Sequence, residues 1–165
     1  MPIESAVVDA LNAQLGREFE AHLQYLSISA WFDSEGLPEL KRFFAAQAAE
    51  EHAHAMRIYD FIEDVGGAVV IPALAAPKAG FESAEEAVAL SLEHEQRITA
   101  HIHDLVDLAG THSDHPTYAF LQWFVTEQVE EIATMSELLQ VTRRAGETNL
   151  LLLESYVARS APTPE

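Results

Sequence analysis

Hydrophobic residues recur at alternating steps of three and four along four long segments of the chain. The segments span about residues 3–33, 38–65, 83–109 and 116–145. This spacing places apolar side chains on one face of an α-helix, and none of the segments alternates with the period of two that is typical of a β-strand. The pattern therefore predicts four long helices, each about 40 Å long.

Short turns join the first helix to the second and the third helix to the fourth. In SEGLP (34–38), Gly36 suits the end of one helix and Pro38 suits the first turn of the next. HSDHP (112–116) is a similar break, and Gly146 ends the fourth segment. Because the turns are short, the helices on either side of each turn are predicted to be antiparallel neighbours.

The connection between the second and third helices is much longer. GGAVVIPALAAPKAGFE (66–82) opens with two glycines and holds two prolines, and it is long enough to return along the bundle. Ser83 and Glu86 have the spacing of a capping box. The third helix is therefore predicted to begin there and to run parallel to the second.

These elements predict an all-α fold. It is a four-helix bundle with one long crossover between the second and third helices, plus a short C-terminal fifth helix. The bundle occupies about residues 3–145, and the fifth helix, in ETNLLLLESYVARS, occupies about residues 147–159. We expect a single domain over residues 1–165, because this length is enough for one hydrophobic core.

Each hydrophobic stripe is interrupted near its middle by polar residues. The interruptions from the first helix to the fourth are Glu18, His22, Tyr25; Gln47, Glu51, His54; Ser91, Glu95; and Gln128, Glu131. One buried glutamate would most simply be a core residue with a local partner. Four carboxylates at a similar depth would instead meet in the middle of one bundle, where they repel one another and lose their hydration.

A bound cation resolves this conflict directly, since the stripes do not hold four basic residues to pair with the four carboxylates. Protonation of all four carboxyl groups is an alternative, but it leaves several donors and acceptors to satisfy. Glu51-x-x-His54 places a carboxylate and an imidazole on one helical face. Oxygen-rich ligands of this kind favour iron or manganese over a closed structural zinc site.

Four motifs carry a resemblance to a known family. They are REFEAHLQY (17–25), AEEHAH (49–54), EHEQ (93–96) and LQWFVTEQVEE (121–131). With them the sequence resembles the prokaryotic, actinobacterial-type non-haem ferritins over essentially its whole length. The resemblance implies a ferritin-like bundle that acts as a ferroxidase, oxidising Fe(II) with dioxygen or hydrogen peroxide. It also implies iron storage and detoxification, with ferric mineral kept inside a hollow homo-oligomeric shell of 24 subunits.

The resemblance also implies an intrasubunit di-iron centre. Glu18, Glu51 and His54 would hold the first iron, and Glu51 would bridge to a second iron held by Glu95 and Glu131. Carboxylates from four helices can hold two metal ions about 3.5–4 Å apart in this way.

A third iron position is implied beside this pair. Its ligands would be Glu50, Glu127 and Glu130, with Glu131 shared. The alternative for the first three is a solvated helix face.

Two further residues are candidates for a part in the chemistry. The resemblance makes Gln128 a metal-site residue beside the irons, near where oxygen binds, and makes Tyr25 a donor of an electron or a proton. The alternative for Tyr25 is a core tyrosine with a hydrogen-bonded hydroxyl.

The chain departs from related patterns at two positions. A symmetric di-iron bundle would repeat Glu-x-x-His on the fourth helix, but this chain has Gln128-x-x-Glu131. The second iron therefore lacks an imidazole and is expected to bind more weakly. Haem-binding bacterioferritins carry Met where this chain has His52, so no haem is predicted. The histidines beyond the second helix are predicted to be surface residues: His94, His101, His103, His112 and His115.

Charge and composition narrow the function further. Acidic residues outnumber basic ones by 27 to 9, for a formal charge of −18. This excess argues against nucleic-acid binding and either supports solubility or attracts cations. The chain has no cysteine, and its N-terminal sequence predicts neither a signal peptide nor a membrane span, so a cytoplasmic location is expected.

Two alternatives to a ferroxidase remain open at this level. One is a metal-free structural or shell subunit, and the other is a different ferritin-like di-iron oxidase or peroxidase. A rubrerythrin-type peroxidase would carry a Cys-rich module, which this chain lacks. A metal-free subunit should have lost at least one of the five implied ligands, yet all are present: Glu18, Glu51, His54, Glu95 and Glu131.

Overall fold

A computed structural model describes residues 3–160 of the chain. It contains five α-helices, which are α1 (Ser5–Ser34), α2 (Pro38–Asp64), α3 (Ala84–Thr111), α4 (His115–Ala145) and α5 (Leu150–Ser160). No strand occurs within residues 3–160, so the predicted all-α fold is confirmed. The ends of the single domain expected over residues 1–165 lie outside the described residues. No helix in the described range is long and apolar enough to cross a bilayer.

The helix boundaries agree with the sequence prediction to within a few residues. Ser83 caps α3, because its Oγ accepts a hydrogen bond from the Glu86 backbone N–H at 3.0 Å. The Glu86 carboxylate accepts from the Glu82 N–H at 2.6 Å, so the return half of the capping box is shifted by one residue. The fifth helix begins later than predicted, because Glu147–Asn149 form a short 3₁₀ turn.

Side-chain amides of α1 hold the crossover against the bundle. Asn12 Nδ2 donates to the Ala68 carbonyl at 2.9 Å, and its Oδ1 accepts from the Val70 N–H at 2.8 Å. Gln24 makes the same pair of bonds with the carbonyl and N–H of Lys78, at 3.0 and 2.9 Å. These bonds satisfy backbone groups that an irregular segment would otherwise leave to water.

The order of these contacts fixes the direction of the crossover. Contacts to later crossover residues come from later positions in α1, so the crossover runs parallel to α1. Since α2 runs antiparallel to α1, α3 begins at the end of the bundle where α2 also begins. The predicted parallel arrangement of α2 and α3 is therefore confirmed.

Two hydrophobic clusters form the core, one in each half of the bundle. One cluster includes Tyr25, Ile28, Phe32, Phe44, Val88 and Met135, and the other includes Leu11, Leu15, Ile58, Ile98, Leu121 and Phe124. On α4 the predicted alternation of threes and fours is buried throughout, at Leu121, Phe124, Gln128, Glu131, Met135, Leu138 and Thr142. At the end of α2 the alternation predicts that Phe61 is buried, but Ile62 is buried instead and Phe61 is only half-buried. The difference arises because a helix has 3.6 residues per turn, which a strict alternation of threes and fours does not match.

Gly16 allows the crossover to pass close to α1. A Cβ at this position would overlap Pro72 Cγ and lie 3.1 Å from Pro72 Cδ. We expect Gly16→Ala to lower the free energy of unfolding by about 1–3 kcal/mol, because the proline ring and its backbone must move.

Chemical denaturation of the wild type and the variant would measure this change. Gly110→Ala is the matched control, since a Cβ at Gly110 on α3 meets nothing within 4 Å. The control should be neutral or stabilising, by up to about 1 kcal/mol. Equal stabilities for the two variants would contradict tight packing of the crossover at Pro72.

Candidate metal centre

Each helix of the bundle contributes a carboxylate to one polar layer between the two hydrophobic clusters. Glu18 comes from α1, Glu51 from α2, Glu95 from α3 and Glu131 from α4, and His54 joins them from α2. Their side chains are 1–5% exposed. They lie at one depth because each occupies the middle of its own stripe.

The ligand atoms of these side chains form three compact groups. Within each group the atoms lie within 4.8 Å of one another, and the groups are Glu18, Glu51 and His54; Glu51, Glu95 and Glu131; and His54, Glu127 and Glu131. Glu51 belongs to the first two groups. Its carboxylate is therefore placed to serve two adjacent cations, which is the geometry of a bridging ligand.

Glu18 and Glu51 are costly to ionise in the absence of a cation. Burial, and then the neighbouring Glu51 charge, raises the pKa of Glu18 well above its ordinary value. Burial, and then the charge of Glu95, does the same to the pKa of Glu51. Glu18 Oε2 and Glu51 Oε1 are buried without a hydrogen-bond partner among the described residues. Buried carboxylate oxygens without a hydrogen-bond donor are chemically suited to bind a cation.

Glu95 and Glu131 face the same penalty to different degrees. Burial, and then the Glu95 charge, raises the pKa of Glu131 to about 8. Burial also raises the pKa of Glu95, but hydrogen bonds from Tyr25 and Gln128 partly offset this effect. Hydrogen-bond donors of the protein therefore stabilise the ionised form of Glu95 more than that of Glu131.

Neighbouring donors orient the carboxylates. The Tyr25 hydroxyl donates to Glu95 Oε1, while Gln128 Nε2 donates to Glu95 Oε2 at 3.1 Å and approaches Thr99 Oγ1 at 3.2 Å. Burial, and then the charge of Glu95, raises the pKa of Tyr25 well above its ordinary value, so the hydroxyl keeps its proton. Gln128 thus acts on Glu95 as a donor from α4.

Gln14 and Thr99 are part of this network and were missed by the sequence reasoning. Gln14 Nε2 donates to Glu18 Oε1 at 2.6 Å. Gln14 lies four residues before Glu18 and Thr99 four residues after Glu95. A search for polar residues one helical turn from each stripe carboxylate would have found both.

The three residues implied for a third iron position have different surroundings. Glu50, Glu127 and Glu130 all line an acidic groove of about 600 Å³ between α2, α4 and α5. Only Glu127 joins a group of ligand atoms, with its Oε1 3.8 Å from His54 Nε2. Burial raises the pKa of Glu50, which accepts a 2.9 Å bond from Gln47. Glu130 is exposed.

The expectation that His94 is a surface residue is wrong. The imidazole is half-buried and packs edge-on against Tyr25, with ring centroids 6.1 Å apart. Burial, and then the charge of Arg97, lowers the pKa of His94 to about 4. His94 directly precedes Glu95 on α3. Its side chain is half-buried because it faces the crossover rather than bulk solvent.

His54 is also fixed from outside the carboxylate layer. Its ring packs edge-on against Trp123 at 5.4 Å, and the Arg57 guanidinium lies over the same indole at 4.2 Å. His22 does not join the ligand groups, since its Nδ1 lies 2.6 Å from the Ala48 carbonyl.

A ferritin-like domain model matches residues 8–145 of the chain. The chain belongs to the ferritin family. Ferritin BfrB of Mycolicibacterium smegmatis is 40% identical over 149 residues, covering 90% of this chain and 82% of that protein. A bacterial non-heme ferritin of Staphylococcus saprophyticus is 36% identical over 158 residues, covering 94% and 95%. The predicted resemblance to prokaryotic ferritins is confirmed.

Solved ferritin structures also share the fold of the whole described chain. The open pore ferritin of the archaeon Archaeoglobus fulgidus superposes with a TM-score of 0.93 at 36% identity, covering 97% of this chain and 99% of that one. An engineered closed form of the same ferritin gives a TM-score of 0.92 at 37% identity, covering 98% of this chain and 99% of that one. The agreement extends to the short C-terminal helix, because nearly the full length is aligned.

The raised carboxyl pKa values make the stability of this ferritin depend on pH. A carboxyl with a raised folded pKa stabilises the fold below its unfolded pKa, near 4.5, and that contribution is lost as pH rises through the folded pKa, about 8 for Glu131. We expect the free energy of unfolding of metal-free protein to fall between about pH 5 and pH 8. The slope should be about 1 kcal/mol per pH unit for each carboxyl that stays protonated.

Urea denaturation at several pH values would measure this slope, with Glu131→Gln as the comparison. The amide cannot ionise, so the variant should show a flatter profile and a higher stability at pH 8. A wild-type profile that rises over this range would contradict the raised pKa values.

Proposed function

We propose that this ferritin subunit is a ferroxidase that oxidises Fe(II) and delivers the ferric product for storage as mineral inside a shell. One observation carries the proposal: a buried layer holds one carboxylate from each of four helices, and Glu51 is common to two adjacent groups of ligand atoms. Iron is therefore substrate and cargo here. The relatives named as ferritins support the same function.

The proposed roles follow the groups of ligand atoms. Glu18 and His54 would hold the first ferrous ion, Glu95 and Glu131 the second, and Glu51 would bridge them. Each ferrous ion supplies one electron, so the pair delivers two electrons to dioxygen or to hydrogen peroxide. The carboxylates favour the products, because anionic oxygen ligands stabilise the higher charge of ferric iron.

Tyr25 and Gln128 are proposed to support the second position rather than to bind iron directly. Both donate hydrogen bonds to the Glu95 carboxylate. They hold it in one orientation and leave its remaining electron pairs free for the metal. Through its hydrogen bond to Glu95, Tyr25 is also proposed to donate a proton or an electron to the reacting pair.

The acidic groove is the proposed entrance for ferrous ions. Glu50, Glu127 and Glu130 line it, and Glu131 lies on the groove as well as in the buried layer. A concave surface with this charge concentrates cations near the centre. The compact group of His54, Glu127 and Glu131 would make a third position for iron on the way in.

Assembly into a closed shell, with 24 subunits as the expected number, is the proposed basis for storage. Leu151 and Leu152 on α5 are 76% and 66% exposed, and Val70 and Ile71 on the crossover are 62% and 55% exposed. Neighbouring subunits would cover such apolar side chains. The single domain over residues 1–165 would be the repeating unit. The absence of haem and the cytoplasmic location stay predictions from the sequence.

A metal-free shell subunit is the main competing function. The unpartnered oxygens of Glu18 and Glu51 disfavour it, because a bundle that never bound metal would gain stability by replacing them with apolar residues. A peroxidase role would use the same centre with a different oxidant. Comparing oxidation rates with dioxygen and with hydrogen peroxide separates these activities.

Replacement of the bridging carboxylate tests the proposed centre. We expect Glu51→Gln to oxidise ferrous iron at least about tenfold more slowly than the wild type, because both positions lose an anionic ligand. The measurement is ultraviolet absorbance after aerobic addition of about two ferrous ions per chain.

Glu63→Gln is the matched control, since Glu63 lies on the same helix and is exposed. The control should oxidise iron at the wild-type rate, and both variants should elute as the wild-type assembly. Equal and slow oxidation in all three proteins would show that the buried layer is not a working ferroxidase centre.

The second iron position is expected to bind more weakly than the first. Its carboxylates come from Glu51, Glu95 and Glu131, with no imidazole, and Gln128 offers it a hydrogen-bond donor instead of a charge. Anaerobic titration of ferrous iron should therefore resolve two affinities that differ by about tenfold or more. Gln128→Glu should narrow the gap. Two equal affinities in the wild type would contradict the asymmetry.

A further inference from the structure

A second cavity lies on the opposite side of the bundle from the acidic groove. It has a volume of about 380 Å³ and lies between α1, α3 and the crossover. Arg17, Arg97, His94 and His101 line it, together with the carboxylate of Glu20. A cavity with two guanidinium groups stands out in a chain with 27 acidic and only 9 basic residues.

The two arginines of this basic cavity are weakly engaged. Four of the other basic residues, Lys41, Arg42, Lys78 and Arg143, are each paired at short range with a carboxylate. Arg17 has no carboxylate within 4.0 Å among residues 3–160, and its Nη1 donates to Gln14 Oε1 at 3.2 Å. Arg97 has only a 3.7 Å contact with the exposed Glu93. Both cations keep donors free for a ligand.

The surroundings of His94 and His101 agree with two free guanidinium groups in the cavity. Burial, and then the charge of Arg17, lowers the pKa of His101, and Arg97 adds to the effect. Both guanidinium groups are therefore near enough to His101 to affect its charge state. His94 Nε2 is buried and has no hydrogen-bond partner among the described residues. A buried imidazole nitrogen of this kind needs a hydrogen-bond partner, which a ligand in the cavity would supply.

We propose that the basic cavity binds a small inorganic oxoanion of the phosphate class between Arg17 and Arg97. A guanidinium presents a planar fork of N–H donors that matches the oxygens of a tetrahedral anion. The volume is at the small end of ligand pockets, which suits a compact anion rather than a nucleotide. The Glu20 carboxylate is already engaged, because it accepts from the Ala75 N–H at 2.8 Å.

Two short chains of contacts join this anion site to the carboxylate layer. Arg17 donates to Gln14, and Gln14 donates to Glu18 Oε1. An anion that draws the Arg17 guanidinium toward itself therefore changes the hydrogen bonding of Glu18.

The second chain runs from His94, which packs against the Tyr25 ring, to Glu95, which accepts from the Tyr25 hydroxyl. Occupancy of the metal centre and of the anion site should consequently influence each other by an equal factor in either direction. This coupling rests on the proposed metal centre, whereas anion binding itself does not.

Titration calorimetry with inorganic phosphate in a chloride buffer, on the assembled metal-free protein, tests the site. We expect saturable binding that weakens as ionic strength rises. Arg97→Gln should weaken it at least about tenfold, because a charge-assisted hydrogen bond is lost.

Two further variants separate the site from general charge effects. Arg144→Gln removes one exposed cation at the far end of α4 and should bind phosphate as the wild type does. Glu20→Gln keeps an acceptor for Ala75 but removes the opposing charge, so it should bind phosphate more tightly. Wild-type affinity in Arg97→Gln, or an equal loss in Arg144→Gln, would overturn the proposal.

Competition identifies the anion, and a redox-inert metal tests the coupling. Sulfate should displace phosphate, and glycerol phosphate should compete at least about tenfold more weakly because its ester group must also fit. Equal competition by the ester would overturn the assignment to an inorganic anion. With Co²⁺ bound, the phosphate affinity should change at least threefold, and Glu51→Gln should abolish that change but not phosphate binding. An unchanged affinity would overturn the coupling alone.

Discussion

The mutual repulsion of four buried carboxylates is the constraint on which the rest of this structure depends. Hydrophobic packing above and below the layer holds the four helices in register, and that register brings like charges together at one depth. The cost shows in the raised pKa values and in the unpartnered oxygens of Glu18 and Glu51. Cations bound in this layer would remove the repulsion that packing creates, so the fold itself provides a place for them.

Charge is distributed so that the two sides of the bundle favour ligands of opposite sign. The groove beside α2 and α4 is lined by carboxylates, whereas the cavity beside α1 and α3 holds two arginines. The carboxylate layer lies between them: Glu131 also lines the groove, and Gln14 links Glu18 by hydrogen bonds to Arg17 of the cavity. A chain with a formal charge of −18 can thus present a local surface for anions without losing its general attraction for cations.

Periodicity alone was enough to predict the helices and the depth of the carboxylate layer, because both follow from backbone geometry that every residue shares. The topology was predictable for the same reason, from the lengths of the connections. Gln14 and Thr99 were missed because their roles depend on which rotamer reaches a neighbour across a turn. His94 was misplaced because its burial comes from the crossover, and the path of an irregular segment is not encoded in a repeating pattern.

The attachment of the crossover to α1 has a consequence for the order in which the chain folds. Asn12 and Gln24 bind backbone groups 56 and 54 residues away in sequence. Such distant contacts carry a large loop-closure entropy, whereas α1 and α2 can pair across a three-residue turn. The first two helices should therefore associate early, and docking of the crossover should limit the rate at which α3 and α4 complete the bundle. Nascent chains would spend that interval with half of the carboxylate layer open to water.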